Sequence, residues 1–115
     1  MNKATSLTWA EFESTEIRVG TILEVNDFPE ARKPAFQLTI DFGSDIGILK
    51  SSAQITKYYK KEDLTDRQVV AVVNFRKKQI GKFMSECLVL GAMESDGGVV
   101  LLHPGLKVEN GLRIG

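Results

Sequence analysis

Ser51-Ser52-Ala53-Gln54-Ile55-Thr56-Lys57-Tyr58-Tyr59 decides the fold, because it sets one helical period among strands. Ser51 and Gln54 stand at capping-box spacing, and Ile55, Tyr58 and Tyr59 follow at i, i+3 and i+4. The spacing predicts a short helix that opens here and ends near Leu64-Thr65-Asp66. One of the two tyrosines is expected to plug the core, while Lys57, Lys60 and Lys61 occupy the opposite face.

Upstream, Phe36-Gln37-Leu38-Thr39-Ile40-Asp41-Phe42 alternates apolar and polar without exception, the pattern of a half-buried strand. Gly43-Ser44-Asp45 turns it and Ile46 to Lys50 returns as a hairpin partner. Ile17 to Val25 reads as an earlier strand, with Ile17, Val19, Leu23 and Val25 on one side and Arg18, Gly20 and Glu24 on the other. Gly20 inside it signals a bend or bulge. Downstream, Gln68 to Phe75 and Cys87 to Met93 are near-continuous apolar runs and read as buried strands. Ser95-Asp96-Gly97-Gly98 turns the second, and Val99 to Leu102 returns.

Three strands, a helix and two long strands is the order of the OB-fold. The expected fold is all-β: a five-stranded Greek-key barrel with a short helix between strands 3 and 4, and extensions at both termini. The N-terminal extension carries a helix start at Thr8-Trp9-Ala10-Glu11-Phe12, with Thr8 and Glu11 at capping-box spacing. The C-terminal one adds a short strand at Leu112-Arg113-Ile114. The 115 residues form a single domain, 1–115.

Composition removes most enzyme classes. The sequence has neither a P-loop, nor a GxGxxG turn after a strand, nor an HExxH helix. One cysteine and one histidine cannot make a usual zinc site, so no metal or cofactor is expected. Cys87 sits in an apolar run and reads as a small buried hydrophobe. The start, Met1-Asn2-Lys3-Ala4-Thr5-Ser6, is polar with no apolar stretch behind it. No apolar run is long enough to cross a bilayer, so no membrane insertion is expected and the localisation is read as cytoplasmic.

Net charge is zero, yet the charge is segregated. Between Arg32 and Lys82 there are eleven basic and five acidic residues, about +6, which leaves the flanks equally negative. Arg76-Lys77-Lys78 and Lys82 fall between two barrel strands, where OB-fold loops frame a groove. Such a loop can track a phosphate backbone, with Lys50, Lys57, Lys60, Lys61, Arg32 and Lys33 widening the patch. Phe75 and Phe83 flank it and can either stack on bases or anchor the loop.

Glu16-Ile17-Arg18-Val19-Gly20 resembles the opening strand of the tRNA-binding domain found at the C-terminus of some methionyl-tRNA synthetases and in free-standing relatives. Asn74-Phe75 and Ser85-Glu86 fit the same pattern. The run from Phe28 to Arg32, together with Ile40-Asp41-Phe42-Gly43, Ser51 to Lys57, Val70 to Phe75, Leu88 to Gly91 and Asn110 to Gly115, resembles the CsaA branch of single-domain, secretion-related chaperones. The resemblance implies a homodimer that binds unfolded or export-bound polypeptides, possesses tRNA affinity, and meets export machinery. It implies binding roles for Arg32, Lys33, Lys50, Ser51, Ser52, Asn74, Arg76, Lys77, Lys78, Lys82, Phe83, Ser85 and Glu86. Trp9, Phe12, Leu112 and Ile114, apolar residues outside the barrel, are the expected dimer interface. A dedicated tRNA or structured-RNA binder acting in trans is the alternative. The tRNA-binding relatives carry a Lys-Pro-x-Lys-Met-Arg-Gly-like loop. Here it reads Arg76-Lys77-Lys78-Gln79-Ile80-Gly81-Lys82, so the charge is kept and a different tip backbone is expected.

Overall fold

The computed structural model describes residues 6–115. Residues 1–5, most of the polar N-terminal segment, lie outside them. The order is α1 (Trp9–Glu13), β1 (Ile17–Asp27), β2 (Phe36–Asp41), β3 (Ile48–Ala53), α2 (Lys61–Leu64) and β4 (Gln68–Val72). It continues with β5 (Lys78–Ile80), β6 (Phe83–Ser85), β7 (Leu88–Val89), β8 (Gly91–Met93) and β9 (Val99–Leu101). An antiparallel five-stranded sheet runs β3-β2-β1-β4-β7, and its two edges approach one another to give a nearly closed barrel of OB type. Hairpins β5–β6 and β8–β9 project from it.

The alternation in β2 is realised. Phe36, Leu38, Ile40 and Phe42 are buried, and they meet Ile22, Val69, Ala71 and Leu64 in the core. β1 departs from the simple pattern. Its register against β2 slips between Ile22 and Glu24, so Leu23 is the extra residue of a bulge. Ile22 therefore points inward, fully buried, and Leu23 is exposed. Gly20 is not the bulge. It lies beneath Ile40 and Phe42, where a Cβ would come within 2.7 Å of both side chains.

The helix begins later than the sequence spacing suggests. β3 runs on through Ser51, Ser52 and Ala53, and the helix is the single turn α2, whose N-cap residue Lys60 donates its N–H to Asp63 Oδ2 (3.0 Å). The Ser51–Gln54 spacing is satisfied by a strand, because the buried Ser51 hydroxyl bonds Cys87 C=O across the barrel (3.0 Å). Tyr59 takes the plugging role. It packs on the core, its hydroxyl accepts from Leu101 N–H (3.0 Å), and Arg67 lies over its ring. Tyr58 is exposed and donates to Glu94.

The N-terminal extension is one capped turn of helix, and the C-terminal tail returns to β1. The α1 capping box forms as spaced, with Thr8 Oγ1 accepting from Glu11 N–H (3.1 Å). The tail lies against β1: Gly111 N–H reaches Val19 C=O (2.7 Å) and Ile114 N–H reaches Ile17 C=O (2.8 Å). Among the described residues only the Arg18–Arg113 bridge forms, so the expected C-terminal strand is a single-bridge contact. Glu16 sits between Arg18 (2.6 Å) and Arg113 (2.9 Å), fastening the tail to the entry of β1.

Candidate ligand groove

The barrel closes between β3 and the segment preceding β7, and closure depends on side chains. Glu86 N–H donates to Lys50 C=O (2.7 Å) and Lys50 N–H donates to Glu86 Oε1 (3.0 Å). Ser52 N–H donates to Ser85 Oγ (3.0 Å). Past Ser52 the seam opens, and three adjoining depressions meet there around Ser52 and Gln54.

The first depression, about 530 Å³, lies between the 30–33 loop and the β5–β6 hairpin, with Arg32, Lys33, Lys78 and Ile80 in its wall. The second continues past Phe75, Arg76 and Leu88. The third, about 330 Å³, is the open seam itself, walled by Ile55, Leu88, Leu90, Met93 and Val99. The groove is thus cationic at one end and apolar at the other. Among the described residues Arg32, Lys33, Arg76, Lys78 and Lys82 form no ion pair, so their charge faces solvent. Lys77 is turned toward Glu86 (3.7 Å).

The hairpin tip explains the altered basic loop. Ile80 pairs with Phe83, leaving Gly81-Lys82 as a two-residue turn. Gly81 has φ +59°, the left-handed first position of a II′ turn, which glycine adopts without steric cost. Lys82 is carried exposed at the tip.

The predicted residues divide by role. Arg32, Lys33, Ser52, Arg76, Lys78 and Ser85 line the groove. Lys50 and Glu86 close the barrel below it. Ser51 is fully buried and supports the wall from behind, out of reach of an occupant. The Asn74 amide is committed elsewhere: its Oδ1 accepts from Glu16 N–H (3.0 Å) and its Nδ2 donates to Ser14 C=O (2.8 Å), pinning the entry of β1. Phe83 packs on Phe28 with ring centroids 5.2 Å apart, whereas Phe75 is half exposed. Lys57 and Lys61 do not widen the patch, since they pair with Asp96 and with Asp27 (3.0 Å).

Sequence reasoning missed the apolar end. Cys87 to Met93 reads as one buried strand but breaks at Leu90, exposing Leu88 and leaving Met93 86% accessible. Gly91 is the available signal. A Cβ there would lie 2.5 Å from Val99 Cγ1, so the glycine marks where the strand bends against β9. Cys87 is buried as expected, and burial pushes its thiol up to about 12. Among the described residues no group of three or more His, Cys, Asp or Glu could hold a metal ion, and no helix is long and apolar enough to cross a membrane.

Residues 17–113 match the family model described as "Putative tRNA binding domain". The chain is 46% identical to chaperone CsaA of Bacillus anthracis, with a TM-score of 0.90, over 96% of this chain and 100% of that one. It is 52% identical to the CsaA chaperone protein of Picrophilus torridus, with a TM-score of 0.88 and the same coverage. This chain belongs to the tRNA-binding-domain family, on its CsaA-like branch. The methionine–tRNA ligase of Bacteroides fragilis is 31% identical over 109 residues, 95% of this CsaA-like chain but 16% of the ligase. That of Pyrococcus abyssi is 35% identical over 104 residues, 90% of this chain and 14% of the ligase. The chain therefore spans about a sixth of the curated relatives it matches.

Proposed function

We propose that this chain is a non-enzymatic, CsaA-like chaperone of the cytoplasm that holds extended segments of unfolded or export-bound polypeptides in the groove. The observation that carries this reading is the pairing of an apolar seam with a cationic end around Ser52 and Gln54, where the barrel edge opens beyond the Ser52–Ser85 bond. An extended peptide can hydrogen-bond along such an edge while its side chains enter adjoining pockets. The similarity to two proteins described as chaperones, each covered from end to end, supports it.

tRNA binding through the cationic end is the second activity, and a dedicated tRNA-binding role in trans is the alternative reading. Both are favoured by Arg32, Lys33, Arg76 and Lys78, which form no ion pair among the described residues, beside the accessible Phe75. A homodimer accompanies either role. Trp9 (71% exposed) and Leu112 (47%) lie on extensions that Glu16 and Arg113 hold together, with Phe12 and Ile114 half-buried beside them. Export machinery is the proposed client-side partner.

The deciding experiment titrates the protein with bulk tRNA and with a permanently unfolded polypeptide at two salt concentrations. tRNA affinity is expected to fall steeply with salt and to drop in the Arg76→Ala/Lys77→Ala/Lys78→Ala triple variant. Polypeptide capture is expected to depend little on salt and to be lost in Leu88→Asp/Met93→Asp. Undiminished tRNA binding by the triple variant would remove the loop from the RNA reading. Undiminished capture by the seam variant would remove the chaperone reading.

A further inference from the structure

A second basic depression, about 440 Å³, lies at the opposite end of β4 from the groove. Roughly 13 Å of strand separates the two, at about 3.3 Å per residue. Thr21, Asp66, Arg67, Gln68, His103 and Lys107 converge on it. Neither the peptide nor the tRNA reading uses these residues.

The β1 and β4 side of the depression is held by bonds within the chain, while His103 and Lys107 stand exposed on its rim. Gln68 clamps the tail in both directions: its Nε2 donates to Val108 C=O (2.7 Å) and its Oε1 accepts from Val108 N–H (3.1 Å). Thr21 Oγ1 donates to Asn110 Oδ1 (2.8 Å) on the same tail. The turn carrying Arg67 is locked to β1, with Asp66 N–H on Ile22 C=O (2.8 Å) and Ile22 N–H on Arg67 C=O (2.9 Å). The Arg67 guanidinium is further held over the Tyr59 ring, 5.1 Å from its centroid.

His103 gives the depression its chemistry. Its Nδ1 lies 2.9 Å from Pro104 C=O, and a carbonyl can only accept, so Nδ1 carries a proton. A neutral ring therefore presents a bare Nε2 lone pair, which repels an anion. The imidazolium presents an Nε2–H donor instead. The other charged groups around it are Arg67 and Asp66, from the turn before β4, and Lys107 from the tail; β1 contributes only the neutral Thr21. Neither Arg67 nor Lys107 forms an ion pair among the described residues. With His103 protonated, three cations face one exposed carboxylate.

We infer that Arg67, His103 and Lys107 form a second, proton-linked site for a phosphate oxyanion, separate from the groove. The phosphate can come from a free phosphate or from the backbone of a bound RNA. The protein's single histidine makes the test direct, because its ring resonances report this site alone. The His103 pKa is followed by NMR in sodium phosphate and in sodium chloride of equal ionic strength. Phosphate is expected to raise it by about one unit at saturation, equivalent to roughly tenfold tighter binding to the imidazolium than to the neutral ring. The rise should shrink in Lys107→Gln and in Arg67→Met, the latter keeping an unbranched stem over Tyr59. A short oligoribonucleotide that raises the His103 pKa identifies the phosphodiester as a ligand, while a response to inorganic phosphate alone identifies the free anion. Equal behaviour in phosphate and chloride, or a rise that survives both substitutions, overturns the site.

Discussion

Lys50 and Glu86 exchange two hydrogen bonds across the barrel seam, one of them through the Glu86 carboxylate standing in for a backbone carbonyl. A side chain thus completes the ladder between β3 and the segment that leads into β7. Glu86→Ala leaves Lys50 N–H to water and should cost about 0.5–1.5 kcal/mol of stability in urea unfolding. Glu86→Gln keeps an acceptor oxygen and should lose less than half of that. Equal losses in the two variants would mean that the carboxylate's contribution is charge rather than the bond to Lys50.

Gly20 is a packing glycine, and its replacement tests the core from the other side of the barrel. A Cβ would lie 2.7 Å from Ile40 Cγ2 and from Phe42 Cδ1, both on fully buried side chains with no room to yield. Gly20→Ala is expected to destabilise by about 1–3 kcal/mol, read as a lowered thermal midpoint. An unchanged midpoint would mean that β2 shifts freely.

These two positions also mark how far the sequence could be read. The period-2 pattern of β2 is local and survives intact, because every inward residue meets the same core. β1 fails at Leu23, the extra residue of a bulge, which turns outward while Ile22 takes the core, and beyond it Val25 packs inward and Glu24 faces out as the alternation has them. Ser51 and Gln54 satisfy a helix-start spacing, but the partner that captures the Ser51 hydroxyl is Cys87, 36 residues away. Ser85 and Glu86 read as binding residues from the sequence, and what the sequence hides is that they also close the seam, through Ser52 N–H and the backbone of Lys50. The cationic end of the groove was legible from charge clustering alone. The apolar end was not, because exposure of Leu88 and Met93 depends on a bend that no hydrophobic pattern encodes.

Cys87 should make stability depend on pH in the alkaline range. Burial is the main cause that pushes its thiol up to about 12, whereas an unfolded cysteine titrates near 8.5. Between those values the unfolded chain has lost the thiol proton and the folded chain has kept it. Unfolding is then favoured as pH rises, by up to about 1.4 kcal/mol per pH unit. The stabilisation is complete below pH about 8.5 and is lost progressively towards 12. Cys87→Ala should flatten this component of the slope in urea unfolding between pH 8 and 10, after an initial cost for the small cavity. A slope identical to that of the parent protein would show that the thiol ionises in the folded chain.

Phe75 and Phe83 flank the same basic hairpin, yet the structure gives them different tasks, and one pair of substitutions separates them. Phe83 packs against Phe28, so Phe83→Ala opens a hole beneath the hairpin and should cost stability, about 3 kcal/mol if the site cannot collapse. Phe75 is half exposed at the groove, so Phe75→Ala should leave the unfolding midpoint nearly unchanged. Its effect belongs to binding. If bases stack on the ring, the alanine variant should weaken single-stranded RNA binding by about 1–3 kcal/mol, with the salt slope preserved because no phosphate contact is lost. A variant that binds RNA as the parent does, while capturing unfolded polypeptide less well, would assign the ring to the peptide end of the groove.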